Sequence, residues 1–104
     1  MTEEALDNLD QGEVPAEIRA RLALALDIDD VVAARRMAND LDEFFGTIKI
    51  GLELYTAAGP DVLAGFVTNG WDVFADLKLH DIPTTVERAA RVVGSLGARW
   101  LTVH

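Results

Sequence analysis

The sequence contains no cysteine, which excludes disulfide bonds, thiolate metal sites and a cysteine nucleophile. Histidine is scarce as well, and His80 and His104 are too few and too far apart along the chain to indicate a metal site. Aromatic residues make up only 7% of the chain, and we expect Trp71 and Trp100 to pack against helices. No apolar run is long enough to span a membrane, and the acidic N-terminus lacks the positive charge of a signal peptide. These absences predict a soluble protein of the reducing cytoplasm with no membrane partner.

Basic residues are outnumbered, so the formal net charge is −9. Six acidic residues and no basic residue lie within positions 1–17, and this segment therefore accounts for six of the nine net charges. The total argues against a nucleic-acid partner, because phosphate contacts require a basic face, although the leader contributes most of it. We divide the chain into an acidic leader at residues 1–20, expected to be helical, and one domain at residues 21–104.

Short apolar runs alternate with longer amphipathic segments from residue 21 onward, a pattern typical of parallel βα units. Strands are predicted at residues 22–26, 47–50, 73–78 and 99–103. The first is a continuous apolar run, which suits a strand covered on both faces. Strand starts recur about every 25 residues, so eight units would need roughly 200 residues, the lower end of a TIM barrel. An open doubly wound sheet shares this pattern, although residues 27–30 lack its Gly-x-Gly-x-x-Gly turn, and periodicity alone leaves both architectures open.

The intervening helices have recognisable start signals. Asp29 or Asp30 can cap the first helix. A loop is predicted at residues 51–59, and the second helix opens at Pro60, where a missing N–H costs nothing. The third helix begins at Thr84 with the spacing of a capping box.

Charged residues stand at the carboxyl ends of three predicted strands. Asp76 and Lys78 alternate along the third strand and therefore project from the same face. Lys49 and Asp27 occupy the matching ends of the two preceding strands, where barrel enzymes place their sites. A single charge past a strand end is usually a solvated loop residue. Burying ions costs on the order of several kcal/mol each unless they are paired, so we interpret these charges as one site.

Four sequence blocks carry a specific resemblance, at residues 24–27, 49–55, 58–60 and 74–83. In this order and spacing they resemble the orotidine 5′-phosphate decarboxylase family of (β/α)8-barrel enzymes. The resemblance runs from about residue 22 to residue 104 and implies an α/β fold with the first four strands of a TIM barrel. The Asp-x-Lys-x-x-Asp motif alone is also similar to 3-hexulose-6-phosphate synthase and 3-keto-gulonate-6-phosphate decarboxylase. The His-Asp-Ile-Pro sequence at residues 80–83 favours the orotidylate branch.

The resemblance implies a carboxy-lyase that converts orotidylate to UMP and carbon dioxide in pyrimidine synthesis without a metal or organic cofactor. Lys78 would protonate C6 of the pyrimidine as carbon dioxide leaves, and Asp76 would lie beside the substrate carboxylate. Lys49 and Asp76 would flank Lys78 in an alternating charge network. Asp81 would complete that network by reaching into the partner site of a homodimer.

The resemblance also implies contacts to the rest of the substrate. Asp27 and Lys49 would contact the ribose hydroxyls, while Ile82 and Thr85 would line the pocket shared between subunits. The phosphate site of such barrels normally lies in loops after strands 7 and 8, which these 104 residues do not include.

A second hypothesis of a different class stays open, namely a noncatalytic half-barrel that associates with copies of itself. Both hypotheses leave the first and fourth strands with unpaired edges. We therefore expect the 104-residue polypeptide alone to be oligomeric or aggregation-prone. We also expect it to decarboxylate orotidylate poorly or not at all, because remote phosphate binding energy normally helps to reach the transition state.

Overall fold

The fold was analysed in a computed structural model that describes residues 14–104. Helices and strands alternate in the order α1 (Ala16–Arg19), β1 (Ala23–Leu26), α2 (Val31–Leu41), β2 (Thr47–Gly51), α3 (Leu52–Ala58), α4 (Pro60–Thr68), β3 (Asp72–Leu79), α5 (Pro83–Ser95) and β4 (Trp100–Val103). The strands form one parallel sheet in the order β1-β2-β3-β4. This is the predicted half of a (β/α)8 barrel, in which each strand pairs with its successor in sequence. Of the predicted helical leader, residues 1–13 lie outside the described residues, and the domain division at residue 20 stays a prediction.

One face of the sheet packs against the helices and forms the core. Alternate strand residues point to this face, and its fully buried members include Leu26, Ile48, Ile50 and Val73. The helices contribute apolar side chains at three- and four-residue spacing, including Ala34 and Ala38 of α2, Leu54 of α3, Val62, Leu63 and Phe66 of α4, and Val93 of α5. The core therefore fixes the strand register from the helix side and leaves the opposite face for other side chains.

The opposite face of the sheet is more exposed than the helix-covered face, and two predictions fail there. In β1 only Leu24 and Leu26 are buried, whereas Ala23 and Ala25 are exposed, so the strand is not covered on both faces. Trp100 also lies on this face, with its ring centroid 6.4 Å from that of Phe74, and does not pack against a helix. Alternation explains both errors, because every second residue of a strand points away from the helix layer.

The helix signals were partly correct. Asp30 caps α2, since its Oδ1 accepts hydrogen bonds from the backbone N–H groups of Val32 and Ala33. Pro60 opens α4 as predicted. The predicted loop at residues 51–59 is wrong, because α3 fills most of it and ends at Gly59, whose φ of 76° suits glycine.

The third predicted helix start also needs correction. α5 begins at Pro83, one residue before the predicted Thr84, and no side-chain cap forms. A capping box is therefore absent at this described helix, because its N-cap residue is Ile82, whose side chain has no oxygen to accept a hydrogen bond. Across residues 14–104, no helix combines the length and the apolar content needed to cross a bilayer.

Candidate active site

The sheet topology brings the predicted charged residues to one edge. Parallel pairing sets Ala25 beside Lys49 and Gly51 beside Asp76, so the carboxyl ends of β1, β2 and β3 lie next to one another. Asp27 follows the last residue of β1, and Asp76 and Lys78 lie near the end of β3. The carboxyl ends of β1, β2 and β3 therefore converge, as the sequence predicts.

Four side chains form a row of alternating charge across the three strands. The Nζ of Lys49 lies 3.7 Å from Oδ2 of Asp27 and 3.7 Å from Oδ2 of Asp76. The Nζ of Lys78 donates a hydrogen bond of 2.8 Å to the same Oδ2 of Asp76. Lys49 and Lys78 thus share one carboxylate oxygen, which places both ammonium groups on the same side of the molecule.

Asp76 is the electrostatic centre of this row. Its side chain is only 12% exposed, compared with 72% for Lys78 and 62% for Asp27. The Lys78 ammonium and the Thr102 hydroxyl donate hydrogen bonds to Asp76 and lower the pKa of its carboxyl group, and the positive charges of Lys78 and Lys49 act in the same direction against the opposing effect of burial. Asp76 is therefore held as a carboxylate that orients two cations.

A backbone irregularity in β3 presents Lys78. The register with β4 shifts between Ala75 and Leu79, so four steps along β3 match only two steps along β4. Within this irregularity, Lys78 has a φ of 48°, and it is the one non-glycine residue of the described chain with a positive φ. Such a conformation is uncommon for a side chain with a Cβ and tends to occur at functional sites.

Thr102 of β4 is a member of the site that sequence reasoning missed. Its hydroxyl donates a hydrogen bond of 2.8 Å to Oδ1 of Asp76, and its oxygen accepts one of 2.9 Å from the backbone N–H of Lys78. Its position near the carboxyl end of β4, next in order after the strands that carry the charges, was the available signal. Thr102 is neutral, and the site was predicted from charged residues at strand ends, so this residue was not identified.

Gly51 falls in the predicted loop at residues 51–59, but in the structure it is the last residue of β2 and lies directly beside Asp27. A Cβ atom built on Gly51 would lie 2.9 Å from Oδ1 of Asp27, closer than real Cβ contacts allow. The absence of a side chain at this position leaves the space in which the Asp27 carboxylate stands next to Lys49.

The remaining predicted site residues lie at the same end of the sheet but outside the charge row. Asp81 is exposed, and its Oδ1 accepts a hydrogen bond of 2.7 Å from the backbone N–H of Ile82. Ile82 is 66% exposed, and Thr85 is exposed in the first turn of α5. Within one chain, therefore, the structure brings together Asp27, Lys49, Asp76 and Lys78. The other predicted site residues face solvent, namely Asp81, Ile82 and Thr85.

The two histidines are closer together than their sequence separation suggested. Their rings stack with centroids 4.0 Å apart, because His80 and His104 follow the ends of the neighbouring strands β3 and β4. Their separation along the chain is therefore not a separation in space, although two histidines alone do not make a metal site. No group of three or more histidine, aspartate or glutamate side chains in the described region is arranged to hold a metal ion.

Comparison with known proteins shows the family to which this chain is similar. Residues 20–104 match the sequence profile of the orotidine 5′-phosphate decarboxylase / HUMPS family. The chain is 48% identical over 93 residues to an orotidine 5′-phosphate decarboxylase of Bradyrhizobium sp. strain BTAi1, a match that covers 88% of this chain. It is 44% identical over 84 residues to the orotidine 5′-phosphate decarboxylase of Moorella thermoacetica, over 81% of this chain.

A solved structure shows the same architecture. The crystal structure of orotidine 5′-phosphate decarboxylase from Pyrococcus horikoshii OT3 superposes with a TM-score of 0.73 at 34% identity, over 79% of this chain and 40% of that one. The chain spans 38% of the length of the Bradyrhizobium relative and 33% of the Moorella relative. Sequence profile, relatives and fold agree, and the chain belongs to the orotidine 5′-phosphate decarboxylase / HUMPS family.

Proposed function

We propose that this chain carries the reactive residues of an orotidine 5′-phosphate decarboxylase, which converts orotidylate to UMP and carbon dioxide in pyrimidine synthesis. The observation that supports this most directly is the 2.8 Å contact between Nζ of Lys78 and Oδ2 of Asp76, at the carboxyl ends of the strands. It holds an ammonium group at the place where barrel enzymes bind their substrates. The names of the relatives point to the same reaction.

The proposed chemistry requires a fixed cation. When carbon dioxide leaves the pyrimidine, the electron pair of the broken bond stays on C6, and the ring offers no internal electron sink. The Lys78 ammonium stabilises this carbanion because it is already oriented by Asp76 and needs no reorganisation. It then donates its proton to C6 and is left as a neutral amine, so a metal or organic cofactor has no step to perform.

The other members of the row would bind and orient the substrate. Lys49 and Asp27 would hydrogen-bond the ribose hydroxyls, since they form the outer end of the row at the carboxyl end of β1. Asp76 would lie beside the leaving carboxylate. Its negative charge would then face the group that departs, while Lys78 faces the carbon that remains.

We further propose that the protein acts as a homodimer in the cytoplasm, with no nucleic-acid or membrane partner. Asp81, Ile82 and Thr85 support the dimer, because they stand at the reactive end of the sheet yet project to solvent within one chain. In a dimer the 66% exposed Ile82 side chain would be removed from water, and Asp81 would be free to reach the site of the second subunit.

A chimera tests the proposal directly. Residues 20–104 of this chain would replace the matching segment of the Bradyrhizobium decarboxylase, which supplies the remainder of the barrel. We expect the chimera to release carbon dioxide from orotidylate, a reaction that can be followed by the change in ultraviolet absorbance when the pyrimidine loses its carboxylate. Lys78→Ala in the same chimera should abolish turnover and largely preserve the melting temperature, because the ammonium acts at the chemical step.

The control in this experiment is Arg91→Ala, which removes an exposed cation on α5 that pairs with Glu87. This variant should turn over orotidylate at the parental rate. A folded chimera without activity would contradict the proposal and would favour the hexulose-phosphate branch or a noncatalytic half-barrel. Near-parental kcat in Lys78→Ala would exclude Lys78 as the acid.

A further inference from the structure

The hydroxyl group of Thr102 makes two hydrogen bonds in the site, one to Asp76 and one to Lys78. It donates to Oδ1 of Asp76 at 2.8 Å and accepts from the backbone N–H of Lys78 at 2.9 Å. A hydroxyl has one hydrogen to donate and lone pairs to accept with, so both contacts are compatible with a single rotamer. The contact to the carboxylate is charge-assisted and is therefore the stronger of the two.

The hydrogen bond from the Lys78 N–H to the Thr102 hydroxyl gives this N–H group an acceptor. The register shift between Ala75 and Leu79 leaves the Lys78 N–H outside the regular ladder with β4, and the Thr102 hydroxyl takes the place of a backbone acceptor. A lysine with φ of 48° is strained and persists only where surrounding contacts hold it. The hydroxyl is such a contact.

The carboxylate contact fixes the orientation of Asp76. With Thr102 on Oδ1, the other oxygen, Oδ2, is turned toward the two ammonium groups and contacts Lys78 at 2.8 Å and Lys49 at 3.7 Å. A free carboxyl group would rotate about its last bond, which is a broad torsion. Oδ1 of Asp76 therefore fixes the orientation of the carboxylate, and Oδ2 interacts with the two ammonium groups.

We propose that Thr102 is a positioning residue of the active site, which aligns the Asp76 carboxylate and the Lys78 backbone without touching the substrate. The residue links the strained backbone of β3 to the charge row through one oxygen atom. The consequences for activity rest on the proposed decarboxylase function. The consequences for Asp76 and Lys78 themselves do not, and they can be measured without substrate or turnover.

The test compares Thr102→Val, which removes the hydroxyl and keeps the branched shape, with Thr102→Ser, which keeps the hydroxyl. In the chimera labelled with ¹³C-aspartate, the Asp76 carboxyl resonance is titrated by NMR in the absence of substrate. We expect the pKa of Asp76 to rise toward the ordinary carboxyl value in Thr102→Val and to stay low in Thr102→Ser. The Lys78 amide should exchange with solvent faster in Thr102→Val only. Asp72 lies at the other end of β3 and is paired with Arg99, so the chemical shift of its carboxyl carbon at neutral pH serves as the control for the fold and should be the same in the parent and both variants.

The same pair of variants in the chimera gives the kinetic result. Thr102→Val should lower kcat roughly tenfold, the factor expected for one charge-assisted hydrogen bond, and shift the acid limb of the pH profile upward. Thr102→Ser should restore both. A purely structural role would lower activity equally at all pH values without moving that limb.

Three results would overturn the proposal: an unmoved Asp76 titration in Thr102→Val, an equal shift in Thr102→Ser, or failure of both Thr102→Val and Thr102→Ala to fold. The last result would mean that the hydroxyl serves the fold and not the site. If the chimera lacks activity but the Asp76 titration shifts as expected, the decarboxylase function fails and the positioning role stands.

Discussion

At the scale of single residues, Asp76 determines how the charge row is organised. Both of its oxygens are used, and the two lysines of the chain reach the same one. Its pKa is lowered first by the Lys78 hydrogen bond and next by the Thr102 hydrogen bond. A carboxyl group whose pKa is lower in the folded chain than in the unfolded chain stabilises the fold at neutral pH.

This lowered pKa predicts a pH-dependent effect of Asp76→Asn. The contribution of the carboxylate is fully present above the ordinary carboxyl pKa and is lost as the pH falls through the lower, folded-state value, where the group becomes protonated. We expect Asp76→Asn to reduce the free energy of unfolding by about 1–3 kcal/mol at pH 7, and the difference from the parent to disappear at strongly acidic pH. Urea denaturation at several pH values measures it.

The matched control is Asp72→Asn on the same strand. Asp72 pairs with Arg99 at 2.9 Å, but its side chain is 49% exposed, so solvent screens the pair. The expected loss is below about 1 kcal/mol. An Asp76→Asn difference that persisted unchanged into strong acid would show that the carboxylate charge is not its cause.

Gly51 predicts an effect on substrate affinity. Gly51→Ala would place a methyl group against Oδ1 of Asp27 and push this carboxylate away from Lys49. In the chimera we expect KM for orotidylate to rise about fivefold, the equivalent of one hydrogen bond, with little change in kcat. Gly94→Ala in α5 is the control, since a Cβ there meets no atom within 4 Å. An unchanged KM in Gly51→Ala would remove Asp27 from the substrate site.

The sequence was sufficient to predict the charged residues of the site, but not the neutral ones. Asp27, Lys49, Asp76 and Lys78 follow from strand alternation and strand-end position, because four charges at the ends of three neighbouring strands are unlikely to be placed there by chance. Thr102 did not follow, since threonine is ordinary in a strand. Its role depends on a register shift that residue periodicity does not record.

At the scale of elements, strands were easier to predict than the helices between them. All four strands lie within one residue of the predicted ends, because a core between a parallel sheet and its helices requires apolar runs. The error at α3 has a physical cause: a seven-residue helix joined directly to β2 and closed by Gly59 shows only two turns of periodicity. Short elements of this kind depend on packing, here on the fully buried Leu54, more than on their own sequence.

The cap of α2 gives a prediction at this scale. Asp30→Ala removes the acceptor for the Val32 and Ala33 N–H groups, at 2.8 and 3.2 Å, and should lower the free energy of unfolding by about 1 kcal/mol. The neighbouring Asp29→Ala is the control and should change it little, since the cap hydrogen bonds belong to Asp30. Urea denaturation of both variants decides between them, and equal losses would contradict the cap assignment.

At the scale of the whole molecule, the described chain is a curved half-barrel with one covered and one open face. The open face carries Phe74, Trp100 and the exposed alanines of β1, while β1 and β4 each have one edge without a strand in the described sheet. Open edges and apolar faces promote association. The chain should therefore not behave as a simple monomer in solution.

We expect size-exclusion chromatography with light scattering to give a mass above the 11.3 kDa of one chain, increasing with concentration. Trp100→Glu should shift this distribution toward the monomer, because it places a charge on the open face. Val92→Glu, on the solvent side of α5 and similarly exposed, should leave the distribution unchanged. A compact monomer at all concentrations, or equal effects of the two variants, would contradict this interpretation.

The hydrogen bonds of Thr102 on β4 to Asp76 and Lys78 on β3 also determine when the charge row can become aligned during synthesis. Thr102 follows Asp76 by 26 positions, so a ribosome releases all four charged side chains well before the hydroxyl that aligns them. Until β4 emerges and pairs, nothing from that strand holds Lys78 in its left-handed backbone conformation. The nascent polypeptide should therefore acquire the alignment of Asp76 and Lys78 only after β4 has emerged and paired with β3, later than the emergence of the three strands that carry the charges.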